Sequence, residues 1–282
     1  MMVEDRDAWG QSVHDEQAPD WVIDPSTPSV ARMYDYYLGG KDNFAADREA
    51  AEKIIEILPN ARDVARANRA FLVRAVRHLA GAGIRQFLDV GTGLPTQENV
   101  HQVAQAVAPD SRVVYVDNDP IVLVHARALL ADNPRSIVVA GDMREPKAVL
   151  THPAVLRHLD FSRPVALIML AVLHFVVDDA EAARIVGTFR DALAPGSHVV
   201  ISHGTPGDLD EDAVRRSRDV YATTTSGGAV PRTTAQVRDL FDGLRLLEPG
   251  VVPLEEWRPE PPETLLERRH GAGIVGGVAV IP

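Results

Sequence analysis

A chain of 282 residues, 45 % of them apolar, is long enough to bury a sizeable core. Its formal net charge of −11 works against an electrostatic hold on nucleic acid or anionic lipid. The absence of cysteine excludes disulfides, thiolate metal sites and cysteine nucleophiles.

Residues 1–24 mix charge, Gln and Pro without periodicity and read as a tail, with Trp9 and Trp21 as the side chains able to pin it. The acidic start has no apolar core and does not read as a secretory signal. The longest apolar stretch, Pro164–Val177, is too short for a bilayer, so a cytoplasmic location is expected. From Thr27 the pattern turns helical: Pro28 suits a first turn, Val30, Met33, Tyr34 and Tyr37 share a face, and Gly39-Gly40 ends the helix. A second helix is expected over Asp47–Leu58. A third begins near Asn60, buries Val64, Ala67, Phe71, Ala75 and Leu79, and stops at Gly81 and Gly83. Residues 25–83 thus read as an N-terminal helical cap. Two basic clusters, Arg62, Arg66, Arg69 and Arg77 at helical spacing and Arg215, Arg216 and Arg218 in a run, read as solvated faces.

Strands then alternate with helices. Gln86–Val90, Arg112–Val116, Ser136–Ala140, Val165–Leu170 and Ser197–Ser202 are apolar or β-branched runs. Helical patterns over Gln97–Val107, Pro120–Leu130, Lys147–Leu159 and Asp179–Leu193 lie between them. This order predicts right-handed crossovers and an α/β fold, a mostly parallel sheet with helices on both faces. The rhythm breaks after Ser202. Residues 204–236 read as an insertion carrying a helix at Leu209–Tyr221, and another helix is expected at Thr234–Phe241. Leu244–Leu247 and Ile274–Ile281 supply two last strands, with Arg258–Glu263 as a Pro-rich loop, completing a main domain over 84–282.

The stretch Phe87-Leu88-Asp89-Val90-Gly91-Thr92-Gly93-Leu94-Pro95-Thr96 runs from a strand through a glycine turn into a helix. Gly91 and Gly93 permit a tight turn and a close backbone approach to a ligand at the strand ends. A dinucleotide fingerprint needs a third small residue where Thr96 stands. Asp89 opposes a pyrophosphate but suits an ammonium group. Asp117, ending the second strand, can accept from both ribose hydroxyls, whereas Asp119 before Pro120 suits a helix cap. After the third strand, Asp142 can accept from an adenine amino group while Met143 packs on the ring. Thr92, Asn118 and Ala171, in the adjoining turns, are further candidate contacts.

The ordered set Asp89-x-Gly91-x-Gly93, Asp117 and Asp142 resembles the motifs of class I S-adenosylmethionine-dependent methyltransferases. Together with Ser29–Phe44 (SVARMYDYYLGGKDNF), Phe87–Thr96 and Glu248–Pro253 (EPGVVP), it resembles an actinobacterial methyltransferase-like family from about residue 25 onward. The resemblance implies a Rossmann-like, seven-stranded, mostly parallel sheet whose last two strands are antiparallel, with S-adenosylmethionine as cofactor. It implies no particular acceptor. Two other functions stay open: a non-catalytic S-adenosylmethionine-binding or regulatory protein, and an NAD(P)-dependent oxidoreductase, which Asp89 and Thr96 disfavour.

Methyl transfer needs alignment more than covalent help, and a base only for a hydroxyl or a protonated amine. His174, in the segment after the fourth strand, is a candidate base or a packing residue; His203 and Tyr36 are weaker candidates. Within the N-terminal motif, Tyr36, Lys41 and Asn43 are the expected contacts to the cofactor or acceptor. No metal site is expected. A small-molecule acceptor is expected rather than nucleic acid or membrane, with Thr223–Gly228 able to close over it.

Overall fold

Strands buried on both faces can be apolar throughout, and β1 (Gln86–Val90) is buried at every residue. The computed structural model describes residues 23–95, 98–259 and 271–282. Trp9, Trp21, Thr96, the first residue of the helix expected at Gln97 and most of the Pro-rich loop lie outside them. Before β1 come α1 (Val30–Tyr37), α2 (Ala45–Ile57) and α3 (Ala61–Gly81). After it follow α4 (Val100–Val107), β2 (Arg112–Asp117), α5 (Pro120–Leu129), β3 (Ser136–Ala140), α6 (Pro146–Thr151), α7 (Pro153–His158) and β4 (Ala166–Leu170). The chain ends with α8 (Asp179–Asp191), β5 (His198–Thr205), α9 (Glu211–Ala222), α10 (Thr234–Asp239), β6 (Arg245–Leu246), β7 (Val252–Pro253) and β8 (Gly273–Val280).

The strands lie in the order β3-β2-β1-β4-β5-β8-β6, with β7 also on β8. The first five are parallel, and β8 runs antiparallel between β5 and β6. The mostly parallel sheet and its antiparallel last strands follow the sequence reading; the two-residue β7 is an addition. Strand β5 runs past its expected end at Ser202 because β8 pairs with it as far as Thr205 opposite Gly273.

Alternation along β1 sends Phe87 to one face and Leu88 to the other. The first packs with Phe71, Val76 and Leu79 of α3 and Val103 of α4. The second packs with Val149, Ile185 and Phe189 of the opposite helical layer. Helix α3 therefore lies on the sheet, and its start joins a third cluster in which Met33, Tyr37, Ala51, Ile54 and Ala65 meet Tyr221 of α9. This cluster sits with the N-terminal helices above the strand ends. A buried ion pair, Arg32 Nε to Asp47 at 2.8 Å, ties α1 to α2, and Asp47 also accepts from the Ser29 amide at 2.8 Å.

The single helix expected over Lys147–Leu159 is two. Pro153 has no N–H to give and disfavours helix at His152, so the chain breaks there. The His152 ring then accepts from the Ala154 amide at 3.2 Å and starts the second helix. Among the described residues, no helix is long and apolar enough to cross a membrane.

Candidate functional site

The chain leaves β1 and β4 toward opposite sides of the sheet, opening a crevice at their carboxyl ends. Gly91 there adopts φ +74°, and a Cβ on it would stand 2.4 Å from Val172 Cγ2, so only glycine fits. Gly93 has φ +67° with open space where a side chain would go. That space is the cavity.

Three strand-end acids surround this turn. Asp89 is 5 % exposed and accepts from Thr92 Oγ1 at 2.8 Å. Burial pushes its carboxyl up to about 6. Asp117 accepts from the Gly93 amide at 2.8 Å through one oxygen and from the Asp119 amide at 2.9 Å through the other. Burial again outweighs these bonds and holds it at about 6. Each oxygen keeps a lone pair for a further donor. Asp119 caps α5 by accepting from the Ile121 amide at 2.9 Å, and its second oxygen takes the Ser29 hydroxyl at 2.5 Å. Asp142 accepts from the Arg144 amide at 2.9 Å and from Asn118 Nδ2 at 3.2 Å.

A cavity of roughly 230 Å³ brings together Asp89, Gly91, Thr92, Gly93, Asp117, Asn118, Asp142, Met143, Ala171 and His174. Tyr36, Lys41, Asn43 and His203 are not in its wall. Helix α1 does line it, but through Met33, Tyr34 and Tyr37. Tyr36 faces the other way, donating to the Glu52 carboxylate beneath the Arg62 guanidinium. Asn43 Nδ2 donates to Asp35 at 2.8 Å and to the Gly40 carbonyl at 3.1 Å, and Lys41 is exposed. The Gly-Gly break serves this local knot: a Cβ on Gly40 would collide with the Asp35 carboxylate. Asp42 and Asn43 thus close a turn around Asp35, and the cavity is lined from the other face of α1. The three-and-four spacing of Met33, Tyr34 and Tyr37 carried that signal.

His203 stands behind the wall. Its Nδ1 donates to the Gly204 carbonyl at 2.8 Å and its Nε2 accepts from Arg232 at 2.9 Å, so both nitrogens are engaged. Burial depresses it to about 4. His174 does reach the cavity, on a short turn held by the Val230 amide donating to the His174 carbonyl at 2.8 Å. Its Nδ1 is buried with no partner among the described residues. Burial, with His203 and Arg232 nearby, pushes its ring down to about 3, leaving a neutral imidazole.

Sequence reasoning found Ala171 but missed Asn68, Ser202, Arg69 and Arg144 as its neighbours around the cavity, because nothing local marks them. Ala171 at φ +52° donates to Ser202 Oγ at 2.9 Å, which donates to Asn68 at 2.6 Å; Asn68 in turn donates to the Tyr34 hydroxyl at 3.0 Å. Arg69, one residue on, lowers the Asp89 carboxyl against its burial and lines the cavity. Arg144 Nη2 reaches the Phe175 carbonyl at 3.1 Å and the Ser226 carbonyl at 3.3 Å. The Thr225 amide donates to the Pro28 carbonyl at 2.9 Å, so the 223–228 loop spans from the N-terminal helices to the strand ends.

Two buried carboxylates held near 6 complement a ligand bearing an ammonium group and ribose hydroxyls, and the open side of Gly93 admits its backbone approach. The site therefore fits S-adenosylmethionine. A family model described as S-adenosyl methyltransferase matches residues 16–282. A solved candidate methyltransferase from Thermobifida fusca is 41 % identical, with 96 % of this chain and 99 % of that chain covered and a TM-score of 0.83. A solved DUF574 family protein from Streptomyces avermitilis is 42 % identical, with 93 % and 100 % covered and a TM-score of 0.84. No curated protein matches the chain.

Proposed function

We propose, for a chain that belongs to the S-adenosyl methyltransferase family, that the acceptor is a small molecule taken into the same cavity as the cofactor. Membership carries the activity: the protein is an S-adenosylmethionine-dependent methyltransferase on the class I fold. The bound cofactor supplies an activated methyl group on a sulfonium. In this reading Asp89 pairs with the methionine ammonium and Arg69 with its carboxylate. Asp117 accepts from the ribose hydroxyls, and Asn118 stands beside it. Asp142 accepts from the adenine amino group while Met143 covers the ring; Gly91, Thr92, Gly93 and Ala171 bring backbone close to the methionine arm.

The observation that carries the reading is that both desolvated acids, Asp89 and Asp117, face one cavity. The wall of this one cavity carries both the strand-end acids and the apolar side chains Tyr37, Ile54 and Tyr221 from the helices above them, so cofactor and acceptor share it. Residues 204–236 form the cover, and Thr225 and Ser226 line the cavity from it. A cover in this position aligns the reacting atoms.

Incubating the protein with methyl-tritiated S-adenosylmethionine and cell extract, then separating small molecules from macromolecules, tests the acceptor. Label is expected in the small-molecule fraction. Label confined to protein or RNA would refute the reading.

A further inference from the structure

The cavity has two halves of different chemistry. Among the described residues, the charged side chains in its wall are Arg69, Asp89, Asp117, Asp119, Asp142 and Arg144. All belong to the strand ends or, for Arg69, face Asp89. The other half lies between α1, α2, the start of α3 and α9, and its wall is Tyr37, Ile54, Leu58, Ala65 and Tyr221. It carries no charge.

Aromatic rings bound this lobe in a continuous arc. Tyr221 meets Phe175 with ring centroids 5.8 Å apart and planes at 60°. Phe175 meets His174 at 4.3 Å and 65°. At the far end the Tyr37 and Tyr221 hydroxyls are neighbours, and Tyr37 is only 6 % exposed. Burial raises both phenols above their usual range, so both stay uncharged.

We infer that the methyl acceptor is an uncharged, planar aromatic molecule that lies in this lobe against Tyr221 and Phe175. The inference rests on the methyltransferase reading and names the acceptor class for that same site. A charged acceptor would lose its hydration in a lobe that offers no counter-ion. A flat ring instead gains edge and face contacts with the aromatic arc. In the transfer, a lone pair on the acceptor forms the new bond to carbon while the carbon–sulfur bonding pair stays on sulfur. An acceptor atom that carried a proton becomes cationic on methylation, and that proton passes to the neutral His174 ring and on to water. No strong base is needed for a proton so acidic.

Three matched probes test the class by calorimetric titration at neutral pH, with and without S-adenosylhomocysteine: naphthol, naphthoate and naphthylmethylammonium. Naphthol is expected to bind at least about tenfold tighter than either charged analogue. Tyr221→Ala should weaken naphthol by about tenfold and leave S-adenosylhomocysteine affinity unchanged. Leu58→Glu should turn the preference toward the ammonium probe, a reversal that simple damage to the fold would not give. A charged probe preferred by the unaltered protein, no binding of naphthol, or an unchanged ranking in Leu58→Glu would each overturn the inference. Failure of the cofactor assignment would show separately, in the S-adenosylhomocysteine titration, while the series without it still reads the lobe.

Discussion

An Arg232→Met variant is expected to lose about 2–4 kcal/mol of stability in a denaturant titration, since several buried acceptors lose their donor at once. Arg232 is 1 % exposed and donates to the carbonyls of Leu173 at 3.1 Å and Val176 at 2.9 Å. It also donates to His203 Nε2 at 2.9 Å and to the Asp179 carboxylate at 2.8 Å. Asp179 is 63 % exposed, so its ion pair adds little. The cost comes from the two carbonyls and the histidine. Those carbonyls flank the turn that places His174 in the cavity wall, and the Arg232 amide donates to the Gly204 carbonyl at 3.1 Å. The same residue therefore holds the base of the cover through its amide and the turn beneath it through its side chain. A loss under about 0.5 kcal/mol would mean that water replaces the guanidinium.

Asp117→Ala should weaken cofactor binding by about 1–3 kcal/mol, or roughly 5–150-fold, through the loss of charge-assisted bonds to the ribose. It also releases the Gly93 amide, which holds the glycine turn. Asp119→Ala acts on a different property. It removes the cap on the Ile121 amide and the tie to Ser29, so it should lower stability by about 1 kcal/mol with little change in cofactor affinity. Calorimetry and denaturation on both variants separate the two roles. A large affinity loss in Asp119→Ala with none in Asp117→Ala would interchange them.

Local chemistry explains which features were legible in the sequence. Strands and helices of the sheet follow from apolar runs and proline or glycine stops, and Gly91, Gly93 and the strand-end acids follow from their order along the chain. The pattern over Lys147–Leu159 is less regular than the others, and Pro153 in its middle marks where the helix breaks. In the N-terminal motif the conspicuous Asp42 and Asn43 close a turn around Asp35, while the cavity takes the plainer face of Met33, Tyr34 and Tyr37. Asn68, Arg144 and Arg232 act through partners far away in sequence, such as Ser202, Ser226 and Leu173. No spacing rule brings such pairs together.

The two carboxyls at the strand ends give the most direct test. Burial raises Asp89 and Asp117 from 3.8 in the unfolded chain to about 6 in the cofactor-free protein. Their stabilising contribution is therefore fully present below 3.8 and is lost as pH rises through about 6. A ligand that pairs with the ionised acids reverses the balance. Titrating S-adenosylhomocysteine calorimetrically across this range should give an affinity that is level at neutral pH. Below about 6 it should fall by up to roughly tenfold per pH unit for each carboxylate that must ionise, with protons released on binding. Affinity unchanged down to about pH 5 and without proton release, or no binding at neutral pH, would contradict the assignment of these acids to the cofactor.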